Sequence, residues 1–279
     1  MNSIKKMMLS GALGCLISGM AYADGSSPQP VKPYWQDIQV VAVNKEKPRS
    51  SFMSYADRET ALTSRFEKSP YYSLLNGTWK FFFVDSYKDL PQNITDPSVN
   101  TSSWDDITVP GNWEVQGHGV AIYTNHGYEF KPRNPQPPLL PEANPVGVYR
   151  RDIEIPASWD NRDIYLHIGG AKSGLYVYLN GKEVGYSEDS KNPAEFLINK
   201  YLQPGKNVLT LKIFRWSTGS YLECQDFWRM SGIERDVFLW SQPKASIQDF
   251  RVVSTLDDTY TNGIFKLAVD LKNHTQETK

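Results

Sequence analysis

Beyond a short helical stretch around residues 57–65, the apolar and polar positions follow the two-residue period of β-strands. Ile164, Leu166 and Ile168 share one face, with Asp163, Tyr165 and His167 on the other. Leu175, Val177 and Leu179 alternate with Tyr176 and Tyr178, and this run ends at Asn180-Gly181. Both residues of that dipeptide accept a positive φ, as a two-residue hairpin turn requires, so Val184-Gly185-Tyr186 reads as the returning strand. Leu209, Leu211 and Ile213 form a third alternating set, opened by the turn Pro204-Gly205-Lys206-Asn207. Asn76-Gly77 leads into another β-rich run over residues 78–84. Strands at this spacing, with no long helices between them, predict an all-β sandwich.

Three segments depart from this pattern. Between Val109 and Pro145, Pro, Gly and Asn interrupt the chain so densely that a long irregular loop is expected. Its aromatic residues, Trp113, Tyr123, Tyr128 and Phe130, predict that the loop is packed at the rim of the sandwich. At the start, Lys5 and Lys6 precede an apolar stretch that ends in Ala21-Tyr22-Ala23, the pattern of a secretory signal peptide over residues 1–23. A buried core helix is the plain alternative, and lipid attachment at Cys15 is a second. The apolar stretch is shorter than the ~20 residues that span a bilayer, so no membrane span is expected. Residues 24–34, with three Pro, read as an exposed leader. After Ser241-Gln242-Pro243 new strands begin at Ile247–Val253 and Gly263–Leu271. A sandwich of the immunoglobulin type needs about 100 residues and seven strands, so residues 242–279 read as a domain cut short.

Composition removes several functions. The chain carries 30 Lys+Arg against 31 Asp+Glu, a balance that argues against a nucleic-acid partner, which needs a basic face. Once the leader is removed only Cys224 remains of the two Cys, which excludes an internal disulfide. The four His are scattered, with no zinc-ligand spacing. No HExxH, GxSxG or GxxxxGK[ST] occurs.

Several stretches are far more specific. They are Val-Pro-Gly-Asn-Trp-Glu (109–114), Ile-Tyr-Thr-Asn (122–125), Gly-Tyr-Ser-Glu-Asp-Ser-Lys-Asn-Pro-Ala-Glu-Phe (185–196), Arg-Trp-Ser-Thr-Gly-Ser-Tyr-Leu-Glu (215–223) and Gln-Asp-Phe-Trp-Arg-Met-Ser-Gly-Ile-Glu-Arg-Asp-Val (225–237). In order, from about Trp35 to Asp270, they resemble the N-terminal part of the large β-galactosidases of glycoside hydrolase family 2. The resemblance implies a jelly-roll, galactose-binding-like domain over residues 35–241, followed by the incomplete start of an immunoglobulin-like domain over residues 242–279. It also implies a portion of a retaining β-galactosidase acting on a β-galactoside, which the leader over residues 1–23 marks as exported and periplasmic. The catalytic glutamates are then expected on a downstream barrel, for the barrel motifs have no counterpart here and the chain alone is expected to be inactive. A stand-alone carbohydrate-binding module is the competing reading, and a β-glucuronidase or β-mannosidase relative the third.

The same resemblance marks two site residues. Asn125 matches an Asn that reaches into the galactose subsite; otherwise it holds a left-handed turn before His126-Gly127. Asp189 matches an Asp that borders that subsite and helps coordinate sodium; otherwise it caps the turn through Ser190-Lys191-Asn192-Pro193. The whole family enzyme is expected to use sodium and a divalent cation, magnesium or calcium, neither held tightly by this chain alone. A retaining glycosidase needs two carboxyls about 5–5.5 Å apart. Neither Glu188/Asp189 nor Glu223/Asp226 is expected to form that dyad. Trp216, Tyr221, Trp228 and Arg229 are read as packing, with Arg229 and Arg235 paired to Glu223, Asp226 or Asp236. Trp35 and Trp113 are expected beneath the loop, His118 and His126 as structural residues, and Cys224, where the family often carries an acid, as a semi-buried free thiol.

Overall fold

A computed structural model describes residues 32–130 and 134–275 of the chain. The leader over residues 1–23, Cys15 and most of residues 24–34 lie outside the described residues. Two antiparallel sheets face each other. The wide sheet runs, edge to edge, through Ala42–Val43, Lys182–Ser187, Gly174–Leu179, Lys206–Phe214, Val146–Glu154, Gly77–Val84 and Asp105–Val109. The narrow sheet runs through Ala194–Leu197, Arg162–Ile168, Val237–Pro243 and Tyr72–Leu74. Among the described residues the one α-helix is Arg58–Leu62, capped where the Asp57 carboxylate accepts the Thr60 N–H at 2.8 Å. No helix among them is long and apolar enough to cross a membrane.

The alternation of the sequence becomes a layer of side chains. Leu175, Val177, Leu179, Leu209, Leu211 and Ile213 point from the wide sheet into the interior, where they meet Ile164, Leu166, Ile168 and Leu239 of the narrow sheet. The turn at Asn180-Gly181 has both residues at positive φ, 54° and 77°, and pairs Leu179 with Lys182. Gly185 cannot be replaced without cost, because a Cβ there would lie 2.3 Å from the Val43 carbonyl oxygen and 2.7 Å from the Phe196 ring.

Parts of the outward faces of both sheets are covered as well, where their alternate positions carry Tyr, Phe and Trp. On the wide sheet, Tyr176, Tyr186, Val148 and Phe214 pack under Trp35, Ile94 and Trp104. On the narrow sheet, Tyr165, Phe238 and Trp240 pack with Met53, and Phe66 and Tyr72 lie against them. Trp35 therefore lies on the outer face of the wide sheet, stacked on Phe214 at 4.9 Å. Trp113 is in the sandwich interior, against Phe81 and Phe83. The pattern marked both as buried but not on which side.

Residues 109–145 are less irregular than expected. Gly111–Asn112 pairs with Gly232–Ile233, and Ile122–Thr124 pairs with Phe227–Arg229. Both are two- or three-residue ladders, too short to leave an alternation in the sequence. Past the narrow sheet, Ala245–Leu256 and Gly263–Asn273 form a long hairpin. Polar contacts tie its base to the sandwich: Ser50 N–H to the Asp249 carboxylate at 2.8 Å, Lys272 to Glu46 at 2.9 Å, and His274 to Asp163 at 2.7 Å. Farther out, Phe265 and Leu267 are exposed, and so is Leu271 at the base.

Phe196 fills the space between the sheets and is fully buried. Phe196→Ala is expected to destabilise the fold by about 3–5 kcal/mol, through lost transfer energy plus the cavity left behind. Urea denaturation checks this; a loss below about 1 kcal/mol would show that the interior collapses around the vacancy.

Candidate functional site

Asn125 follows directly on the short strand Ile122–Thr124 and is exposed. The chain bends behind it, with the Thr124 hydroxyl donating to the His126 carbonyl at 2.6 Å and Gly127 at φ +73°. Beside it, Tyr123 and Trp228 face each other across the two-stranded ladder, ring centroids 5.7 Å apart, and are 55 % and 53 % exposed. The Tyr123 hydroxyl donates to Asp226 at 2.9 Å, and this bond raises the phenol's pKa. Trp228 thus departs from the expected packing role. Its neighbour in the ladder, Arg229, turns inward, and the two-residue period turns Trp228 out. Trp216 and Tyr221 do pack, against Phe130 and Tyr128.

Asp189 sits just past the strand Lys182–Ser187. Glu188 before it is buried, while Asp189 is exposed, as adjacent residues in extended chain point opposite ways. The Asn192 amide donates to both Asp189 oxygens, at 3.0 and 3.1 Å, closing the turn. Lys45 lies 3.9 Å away; burial lowers its pKa and Asp189 works against that shift. Asp189 also borders a cavity of about 380 Å³ walled by Phe52, Phe66 and Phe238. On its floor Glu195 accepts from Arg49 Nε and Nη2, both at 3.0 Å, and from Trp240 Nε1 at 3.1 Å, and meets His167 Nδ1 at 2.8 Å. That floor is internally satisfied.

Beneath both residues lies a set of buried cations. Arg229 is 1 % exposed, and it donates to the backbone carbonyls of Glu223 at 3.1 Å and Thr124 at 3.4 Å. Arg215 donates to the carbonyls of Val120 and Arg229 and lies 3.7 Å from Glu114. Lys172, 2 % exposed, lies 3.2 Å from Glu129. The expected pairing of Arg229 and Arg235 with acids is therefore replaced by carbonyl contacts, Arg235 reaching the Lys191 carbonyl at 2.7 Å. An irregular buried backbone leaves carbonyls that need donors. Lys172, Glu129, Arg215 and Glu114 had no part in the sequence-based site. The available signal was a charge set among apolar or aromatic neighbours, as in Tyr128-Glu129-Phe130.

The carboxylates are committed elsewhere. Glu188 accepts from the Tyr186 hydroxyl, the Thr218 hydroxyl and the Gly219 N–H, and burial raises its pKa. Glu223 accepts from the Ser190 N–H at 3.0 Å and hydroxyl at 2.6 Å. Burial raises Glu223's pKa, with Ser190 and Lys172 opposing. Asp226 serves Tyr123. Glu223 and Asp226 thus serve different partners, Ser190 and Tyr123. Cys224 is a half-buried free thiol whose pKa burial raises. His118 packs edge-on against Phe81 at 4.8 Å, and His126 is exposed. Among the described residues no cluster of three His, Cys, Asp or Glu could hold a metal ion. The Asp189 carboxylate, whose two oxygens accept from Asn192, is a hard oxygen donor.

Comparison with known proteins agrees with this architecture. Residues 72–243 match the family model described as glycosyl hydrolases family 2, sugar binding domain. A β-galactosidase of Priestia megaterium is 40 % identical over 245 residues, which is 87 % of this chain and 24 % of that protein. One from Psychromonas ingrahamii is 37 % identical over 243 residues, 87 % of this chain and 23 % of that protein. The chain thus spans about a quarter of the length of these relatives. Among solved structures, a β-glucuronidase from an uncultured Clostridium superposes with a TM-score of 0.53 at 23 % identity, over 72 % of this chain and 33 % of that one. A β-glycosidase from Bacteroides vulgatus gives 0.54 at 22 %, over 74 % and 25 %. These likenesses establish the sandwich fold.

The buried Glu195 centre yields a pH prediction. Burial raises its pKa, but the His167 contact and Arg49 outweigh burial, so the folded-state value lies below the ordinary carboxyl value. Its stabilisation is therefore complete above the ordinary carboxyl range and is lost as pH falls through the lower folded value. Glu195→Gln, which leaves Arg49 facing a neutral amide, is expected to cost about 3–5 kcal/mol at pH 7. Urea denaturation at a series of pH values should show that gap closing in acid; a gap independent of pH contradicts the assignment.

Proposed function

The chain belongs to family 2 of the glycosyl hydrolases, and from that membership we propose that it forms the galactose-facing half of an exported β-galactosidase. The observation that carries the reading is the 36–40 % identity to β-galactosidases across most of the chain, with Asn125 and Asp189 both solvent-facing. Fold likeness to β-glucuronidases is compatible with a related glycoside. The galactoside is favoured because the sequence likeness lies with the galactosidases.

In this reading the Asn125 amide, with two donors and one acceptor oxygen, recognises sugar hydroxyls in both directions. Asp189 accepts a hydroxyl and supplies one oxygen ligand to a monovalent cation, sodium, beside the sugar's primary hydroxyl. A divalent cation, magnesium or calcium, belongs to the whole enzyme, with no residue of this chain assigned to it. Hydrolysis with retention requires a carboxyl pair about 5–5.5 Å apart. Glu188, Glu223 and Asp226 are held by other partners, so that pair is supplied by a catalytic barrel, on the same polypeptide or a separate one. The leader directs the protein to the periplasm, and cleavage after Ala23 leaves Asp24 first.

The 279-residue chain alone is expected to leave a chromogenic β-galactoside intact. When it is joined to its barrel, Asn125→Ala and Asp189→Ala should each lower kcat/KM by roughly ten- to a hundredfold, the loss of one or two substrate hydrogen bonds. Turnover by the chain alone that survives both substitutions overturns the reading. N-terminal sequencing of the exported protein should begin at Asp24; retention of Met1 contradicts export by this leader.

A further inference from the structure

Asn125 and Asp189 sit on separate supports. The strand before Asn125 pairs with Phe227–Arg229, whereas Asp189 extends from Lys182–Ser187 of the wide sheet. A shared subsite requires their separation to be fixed, since a reacting geometry tolerates little misplacement. We propose that Lys172 and Arg229 are positioning residues that lock the Asn125 loop to the Asp189 turn. The proposal rests on the galactose-subsite reading of those two residues.

Two bridges carry it, and both meet at Glu223. The first is a chain of hydrogen bonds. Ser190, next to Asp189, donates its N–H and hydroxyl to the Glu223 carboxylate, at 3.0 and 2.6 Å. Arg229 donates through Nη1 to the Glu223 carbonyl, at 3.1 Å, and through Nη2 to the carbonyl of Thr124, next to Asn125, at 3.4 Å. One planar guanidinium thus joins Thr124 to Glu223, with a fixed fork that a single ammonium lacks, and the Glu223 carboxylate in turn holds Ser190.

The second bridge is electrostatic. Lys172, in the strand Ala171–Lys172 of the sandwich, lies 3.2 Å from Glu129, four residues beyond Asn125. Two residues before Lys172, Gly170 lies so close to the Asp189 turn that a Cβ there would meet the Ser190 carbonyl oxygen at 3.3 Å, and the Lys172 ammonium favours the charged form of Glu223 against burial. Lys172 Nζ and Glu129 Oε2 are buried without a hydrogen-bond partner, so their attachment depends on charge. Such a pair is costly to break from one side, because the remaining charge stays buried. Lys172 and Arg229 are both almost fully buried, so they act on a sugar only through Asn125 and Asp189.

Hydrogen exchange on the 279-residue chain tests the lock without reference to any sugar. In Lys172→Met and in Arg229→Met, exchange should accelerate roughly tenfold or more in peptides covering both 121–130 and 187–192. Peptides from Gly174–Leu179 and Lys206–Phe214 should stay protected as in the parent. The double variant Lys172→Met/Glu129→Gln removes both charges of the ion pair, and gives the same reading if Lys172→Met alone does not fold. Acceleration in one segment only, or in neither, overturns the proposal, as does uniform loosening of the whole sandwich. Kinetics in the enzyme joined to its barrel supply the second readout. Lys172→Met should lower kcat/KM for a β-galactoside, and adding Asn125→Ala should then cost less than threefold more, where independent sites would multiply. Full multiplicative loss overturns the lock. If Asn125→Ala alone is silent, the subsite reading fails while the exchange result stands separately.

Discussion

Backbone that leaves a sheet and enters a protein interior must find donors for its carbonyls, and this requirement organises the rim of the sandwich. The strands satisfy one another through their ladders. The segment from Gly111 to Phe130 has only two short ladders, so other donors are needed. They are side chains: Arg215 serves the carbonyls of Val120 and Arg229, and Arg229 serves those of Thr124 and Glu223. Lys172 meets the carboxylate of Glu129. Charge-assisted bonds are stronger than neutral ones, and a buried charge is costly unless it is paired. The result is a loop tied to the sandwich by buried side-chain donors, with Asn125 at its exposed bend.

That arrangement depends on a sandwich thick enough to bury charge. Three apolar layers supply the thickness: one between the sheets and one on each outer face. The outer layers form where positions that alternate with Leu and Val are Tyr, Trp and Phe, of which Tyr and Trp bury rings while keeping a polar group for hydrogen bonds. Tyr176 shows this, accepting the Trp35 N–H at 3.4 Å while its ring packs with Tyr186 at 4.6 Å. Glu195 shows a similar economy on the other face, gathering Arg49, His167 and Trp240 around one carboxylate.

Much of the fold could be read from periodicity alone. The Leu175, Leu209 and Ile164 sets each occupy the interior face, and Asn180-Gly181 forms the tight hairpin, because both patterns reflect local chemistry. Trp35 was legible as buried, but its side of the sheet depends on packing between distant segments. Trp228 and Arg229 were read together as packing, yet their neighbouring positions face opposite ways in a ladder too short to show a period. The site was less legible still. Asn125 and Asp189 stood out through family motifs, whereas Lys172 and Glu129, 43 residues apart in sequence, acquire meaning only when the fold brings them to 3.2 Å. Single charges among aromatic neighbours are ambiguous until a partner is located.

The central claim is that Asn125 and Asp189 belong to one sugar site, completed by a catalytic barrel. Its most direct test is a crystal structure of the chain together with that barrel and a bound galactose-configured inhibitor. The account predicts the Asn125 amide within hydrogen-bond distance, about 3 Å, of a sugar hydroxyl, with Asp189 bordering the same ring directly or through a cation. A sugar seated out of reach of both residues would contradict it.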